Sequence, residues 1–268
     1  DEEHDPSFKQ EEGVRYHARD MALLRAHRAG AVAVLGTATP SVNSEALVHG
    51  GKLTRLLLPA RARATAVLPS VELVDLRRIG PGPTGEKLLS VRIFRALQEN
   101  LERGEQSILF LNRRGFAPSV ECEDCGEVLE CPLCSVALTL HRRGGEQLVC
   151  HYCDYRAPLP QVCPKCGSAA LAHEGVGTER VEASLREALP TARIARLDRD
   201  VAAGAASEAV LDRVRRGEVD ILVGTQMVTK GHDLPNVTLV GVLNADAALS
   251  LPDFRAAERT FHLLVQVA

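Results

Sequence analysis

The chain has 268 residues, 45% hydrophobic and 25% charged, with a formal net charge of −3. That balance excludes a disordered or fibrous polymer and fits one or two globular domains, while the absence of a basic excess means that nucleic acid could be met only by local patches. No apolar run approaches the ~18 residues that cross a bilayer and no signal peptide is present, so a cytoplasmic location without a membrane partner is expected.

The first element is acidic. DEEHD, residues 1–5, places adjacent carboxylates before any hydrophobic run. At the end of a buried strand such a pair suits Mg²⁺-nucleotide chemistry: one carboxylate holds the ion and the next orients or deprotonates water. An acidic surface end is the alternative on these five residues alone. The run AVAVLG, 31–36, reads as a strand, and GTATP follows it with Thr37, Ala38 and Thr39 in a turn able to couple phosphate state to movement. Residues 59–70, PARARATAVLPS, lack periodicity and read as a linker. The domain boundary is placed near residue 65.

Beyond it, strands are expected at 107–112, 192–197, 220–225 and 237–244, and helices lie between them. One helix covers 90–103. A second begins at Thr178 as its N-cap, a third is capped by Ser207 and ended by Gly217, and a last one follows Pro252. Strands alternating with helices predict parallel sheet covered on both faces. Thr225, Gln226, Lys230 and Asp233 fall on a loop at a strand's carboxyl end, where open α/β sheets bind ligands.

All eight cysteines lie between Cys122 and Cys166, in four C-x-x-C pairs separated by five, fifteen and nine residues. The fifteen-residue gap matches a Cys₄ zinc spacing, joining Cys131 and Cys134 to Cys150 and Cys153. Cys122, Cys125, Cys163 and Cys166 then share a second ion, giving two nested structural Zn²⁺ sites within a module at 118–172. A disulfide framework fits a secreted chain, and four tandem redox motifs would be unusual. Gly126 and Gly167, just past two of the pairs, suit tight turns. His141 and His151 are surplus to both shells. Asn112, Arg113 and Arg114, beside the insert, suit either phosphate binding or orientation of the zinc module.

In this order the motifs resemble those of superfamily 2 helicases: DEEHD is similar to motif II, GTATP to motif III and GTQMVTKGHD to motif V. With SFKQEEGVRYHARD, ILFLNRRGFAP, GVGTER, RLDRD and VTKGHDLPNVTLVGVLNAD around the cysteine insert, the whole chain closely resembles the PriA family of replication restart helicases. The resemblance implies two RecA-like lobes of P-loop NTPase type: the end of lobe 1 at 1–65, and lobe 2 at 66–268 interrupted by the zinc-ribbon-like module. It implies Asp1 and Glu2 as the Mg²⁺ and catalytic-base carboxylates, His4 as the coupler to DNA, and Gly231 and Asp233 beside ATP. It puts Phe8, Lys9, Arg15, Tyr16, His17 and Arg19 in a loop that senses single-stranded DNA, with Thr225 and Gln226 on the DNA track. The implied activity is ATP-driven 3′→5′ unwinding at stalled forks. Forked and single-stranded DNA, primosome proteins and single-stranded DNA-binding protein are the implied partners.

The chain has no G-x-x-x-x-G-K-[ST] loop and no glycine-arginine motif supplying an arginine finger. The resemblance places both beyond its ends, so the chain is expected to be an internal fragment that neither hydrolyses ATP well nor unwinds DNA by itself. The contrasting reading is a non-catalytic zinc-ribbon module that binds DNA or protein from an α/β scaffold.

Overall fold

The computed structural model describes the chain except for residues 11, 61–67, 113–118, 142–144, 173–176, 199–204, 226–233, 250–252 and 268, and divides it into two units, Asp1–Pro69 and Ser70–Ala268.

The first unit holds a two-stranded antiparallel hairpin, β1 (Lys9–Gln10) and β2 (Tyr16–His17), followed by α1 (Ala18–Arg28) and α2 (Val42–His49). The hairpin loop turns through Gly13 at φ 67°. Ser41 caps α2, its hydroxyl accepting from the Ser44 N–H. The strand expected at 31–36 does not form. A strand exists only through a paired neighbour, and the one ladder described in this unit is the hairpin; Val32 and Val34 stand 89% and 77% exposed.

The second unit is built on a four-stranded parallel sheet of order β11-β3-β10-β9. Its strands are β3 (Gln106–Leu111), β9 (Ile194–Leu197), β10 (Ile221–Gly224) and β11 (Val237–Leu243), and its helices are α3 (Val91–Glu102), α4 (Thr178–Ala188), α5 (Ala205–Arg215) and α6 (Ala256–Val267). Every residue of β3 is buried. The two-residue period of a strand divides them between two cores. Leu109 and Leu111 join Phe94, Leu97, Val181 and Leu185 of α3 and α4, while Ile108 and Phe110 join Leu211, Val214 and Leu263 of α5 and α6. Helices therefore cover both faces.

Two helix starts differ from expectation. Gly177, not Thr178, is the N-cap of α4; Thr178 is the first helical residue, and its hydroxyl donates to the buried Asp198 carboxylate at 2.5 Å. Ser207 lies inside α5 because Ala205 and Ala206, strong helix formers, extend the helix one turn earlier. Gly217 ends α5 as expected, at φ 71°, with the Glu218 N–H reaching the Arg213 carbonyl.

Before α3 the chain folds back on itself, and the Gly82 N–H donates to the Leu89 carbonyl at 2.8 Å. A Cβ on Gly82 would lie 2.2 Å from that same carbonyl oxygen, a backbone atom that cannot swing aside. Gly82→Ala is expected to lower the stability of this unit by about 1–3 kcal/mol, read from urea unfolding.

Between β3 and α4 stands the cysteine-bearing segment, with its own short strands β4 (Glu121–Cys122), β5 (Thr139–His141), β6 (Gln147–Val149), β7 (Arg156–Pro158) and β8 (Leu171–Ala172). β4 pairs with β8, and β5-β6-β7 form a three-stranded antiparallel sheet. Among the described residues no helix is long and apolar enough to cross a membrane.

Candidate functional sites

The four C-x-x-C pairs fold alike. The N–H four residues beyond each first cysteine returns to that cysteine's carbonyl: Gly126 to Cys122, Ser135 to Cys131, Asp154 to Cys150 and Gly167 to Cys163, at 2.8–3.0 Å. All four of these residues have positive φ, between 51° and 77°. Two are glycines; Ser135 and Asp154 hold the same left-handed conformation, and sequence reasoning missed them. Their shared position, immediately after each second cysteine, is the signal that identifies them.

These turns gather the sulfurs into two groups, Cys122/Cys125/Cys163/Cys166 and Cys131/Cys134/Cys150/Cys153, each with all Sγ atoms within 4.8 Å of one another. The nested pairing read from the spacing is the observed one. Cys122 and Cys166 stand 3.6 Å apart, while Cys125 and Cys163, like Cys131 and Cys153, stand 3.7 Å apart. Those are too long for a disulfide and close to the edge of a tetrahedron with metal–sulfur bonds of about 2.3 Å, roughly 3.8 Å. Cys₄ tetrahedra of this size suit Zn²⁺, and four thiolates leave no open position. In the inner group, a hydrogen bond with Cys153, aided by burial, pushes the Cys134 thiol up to about 12. Burial also opposes ionisation of Cys150, but the Tyr152 and Cys153 N–H groups outweigh it and hold Cys150 at about 7. Displacing the remaining protons is part of metal binding.

In the first unit, the end of DEEHD meets GTATP. His4, its side chain 5% exposed, has Nδ1 2.8 Å from the Thr37 hydroxyl and 3.5 Å from that of Thr39. The Thr39 N–H donates to Thr37 Oγ1 at 3.0 Å. Asp1 is exposed and Glu2 half-buried, with Glu2 at φ 50°. Gly36 runs beneath the Asp1 carboxylate: a Cβ there would lie 3.3 Å from Asp1 Oδ1.

The structural role of the third acid was missed in the sequence. Glu3 is 3% exposed and fully engaged: Oε1 accepts the Ser41 N–H at 2.6 Å, while Oε2 accepts Arg19 at 2.8 Å and the Ser44 and Ser41 hydroxyls at 2.8 and 3.0 Å. Arg19 also binds Asp20 at 2.9 Å. The expectation that Arg19 faces DNA phosphate is therefore corrected: its guanidinium is buried and spent on Glu3, because α1 turns it inward. The remaining loop residues stay accessible. Lys9, Arg15 and Tyr16 are exposed, and Phe8 and His17 partly so.

Thr225 immediately follows β10, its N–H donating to the Leu197 carbonyl at 3.3 Å. Gln226, Lys230, Gly231 and Asp233 lie outside the described residues, as do Arg113 and Arg114. Asn112 is buried, its side-chain amide donating to the Ala245 carbonyl at 3.0 Å, so it ties β3 to the turn after β11.

A family model described as the PriA DNA helicase Cys-rich region (CRR) domain matches residues 131–158, which contain the inner cysteine group. Over its whole length the chain is 46% identical to the replication restart protein PriA of Bacillus subtilis, 43% to that of Treponema pallidum and 41% to that of Haemophilus influenzae. It spans 33%, 40% and 36% of those relatives, respectively.

Proposed function

Because the chain belongs, from end to end, to the PriA family, we propose that it is the central part of an ATP-driven DNA helicase that restarts stalled replication forks by 3′→5′ unwinding and primosome assembly. In this reading residues 1–65 close the first RecA-like lobe, and 66–268 form the second around the zinc module at 118–172.

Asp1 is the residue that would hold the Mg²⁺ of ATP, and Glu2 the base that would take a proton from the attacking water. Phosphate bound there would supply the charge change to which these residues respond. Gly231 and Asp233 are the residues of the second unit that the family resemblance would assign to the nucleotide. Phe8, Tyr16 and His17 offer stacking surfaces to single-stranded DNA, and Lys9 and Arg15 offer positive charge to its backbone. Thr225 and Gln226 are the residues that the family resemblance would assign to the DNA track. The two Zn²⁺ ions are structural, and the module they fold is the platform for forked DNA, primosome proteins and single-stranded DNA-binding protein.

The observation that carries the motor reading is the 2.8 Å contact of His4 with Thr37. It links the acidic segment to the Thr37-Ala38-Thr39 turn, so displacement of one by a hydrolysed phosphate would move the other. Glu2→Gln in the full-length protein is the test. ATP hydrolysis should fall about 10²–10⁴-fold, the usual contribution of a general base, with ATP binding retained. Normal turnover would overturn the assignment.

A further inference from the structure

The two histidines left over by the cysteine groups meet each other. His141 closes β5, and His151 lies inside the turn between Cys150 and Cys153. Their Nε2 atoms are 3.1 Å apart, with ring centroids at 5.1 Å and planes inclined by 42°. The pair is solvent-exposed.

We infer that His141 and His151 form a third metal site, a two-imidazole chelate that takes a divalent transition ion such as Zn²⁺, Ni²⁺ or Cu²⁺ from solution. Metal–imidazole bonds of about 2.0–2.1 Å drawn to nitrogens this far apart subtend roughly 100°, between the angles of an octahedral and a tetrahedral site. Imidazole nitrogen suits these ions and not Mg²⁺ or Ca²⁺, which take oxygen. A hydrogen bond between two neutral rings also fits 3.1 Å. Such a bond between exposed groups contributes little net, because water serves each ring nearly as well. Holding two side chains with their lone-pair atoms converged has more to gain from an ion that both can share.

Both ligands are on anchored backbone. His141 pairs with Gln147 across the β5–β6 ladder, and the His151 turn is closed by the Asp154 N–H on the Cys150 carbonyl at 3.0 Å. Two protein ligands leave the other positions to water, so the site exchanges readily, unlike the closed Cys₄ groups. Of the two ligands, His151 shares its turn with Cys150 and Cys153 of the inner group, whereas His141 comes from β5.

The test uses full-length protein that already carries its two tightly held Zn²⁺ ions. Titration with Ni²⁺, followed by calorimetry, should reveal one further weak equivalent in the wild type and in a His49→Ala control. That equivalent should be lost in His141→Ala and in His151→Ala, with both tight zincs retained. An absent extra equivalent, or one that survives both replacements, overturns the site. Neither result touches the helicase proposal, which uses neither histidine.

Discussion

Stripping the zinc from this chain is expected to unfold its cysteine segment while leaving the four-stranded parallel sheet standing. The segment's strands are two or three residues long, below what holds an isolated sheet together in water. Its apolar cluster is small, and two members, Cys131 and Cys150, are themselves ligands. Structural Zn²⁺ contributes on the order of 10–16 kcal/mol per site in small finger domains, more than such a cluster can replace. The parallel sheet owes nothing to the metals, since aliphatic residues and Phe94 and Phe110 fill its two cores. Hydrogen exchange after chelation should therefore show lost protection in β4 to β8 and retained protection in β3, β9, β10 and β11. Single replacements separate the two sites. Cys150→Ser should reduce the tightly bound zinc from two ions to one and melt β5-β6-β7 first, whereas Cys122→Ser should release the outer ion and free the β4–β8 pairing. Full protection of β5 to β7 in metal-free protein would show that the segment holds its fold without the ions.

The zinc module and the second unit were legible in the sequence because their determinants are local. Four C-x-x-C pairs fix ligand identity through spacing, and runs such as SILFLN declare a strand buried on both faces. What was not legible depends on partners distant in the chain. AVAVLG has the composition of a strand, but only a neighbouring strand makes it one, and 31–36 has none among the described residues. Thr178 reads as an N-cap by residue type; Asp198, twenty residues later, takes its hydroxyl instead. Ser135 and Asp154 carry a left-handed turn that residue type disfavours, and closure of the metal-binding loop outweighs the cost. Arg19 reads as a DNA contact until Glu3, sixteen residues earlier, is seen to be buried against it. A charged residue's destination is set by which face of its helix is covered, and the short, polar α1 gives little pattern from which to foresee that.

Breaking the Glu3–Arg19 pair should be the most damaging single change in the first unit. Both side chains are buried, and the carboxylate is the meeting point of DEEHD, the start of α1 and the N-cap of α2. Replacing such a pair by well-packed apolar groups can be neutral, but removing one partner strands the other's charge away from water and costs about 3–5 kcal/mol. Glu3→Ala and Arg19→Ala in the full-length protein should each destabilise this unit by that amount. The double replacement should cost less than the sum of the two, because the second change removes the charge that the first left unpaired. The pair also sets a pH dependence. Burial pushes the Glu3 carboxyl up, but the Ser41 N–H, Arg19, Ser44 and the Ser41 hydroxyl outweigh burial and hold it below the ordinary Glu range. With the folded value lower than the unfolded one, the unfolded state binds the proton more readily. The stabilisation is therefore complete above the unfolded value of about 4.3 and drains away as pH falls through the folded value. Denaturant unfolding followed by hydrogen exchange in α1 and α2 should show that acid-side loss in the wild type and a flatter profile in Glu3→Ala. An unchanged profile in the variant, or strictly additive costs in the double replacement, would mean that the two residues do not act as a pair.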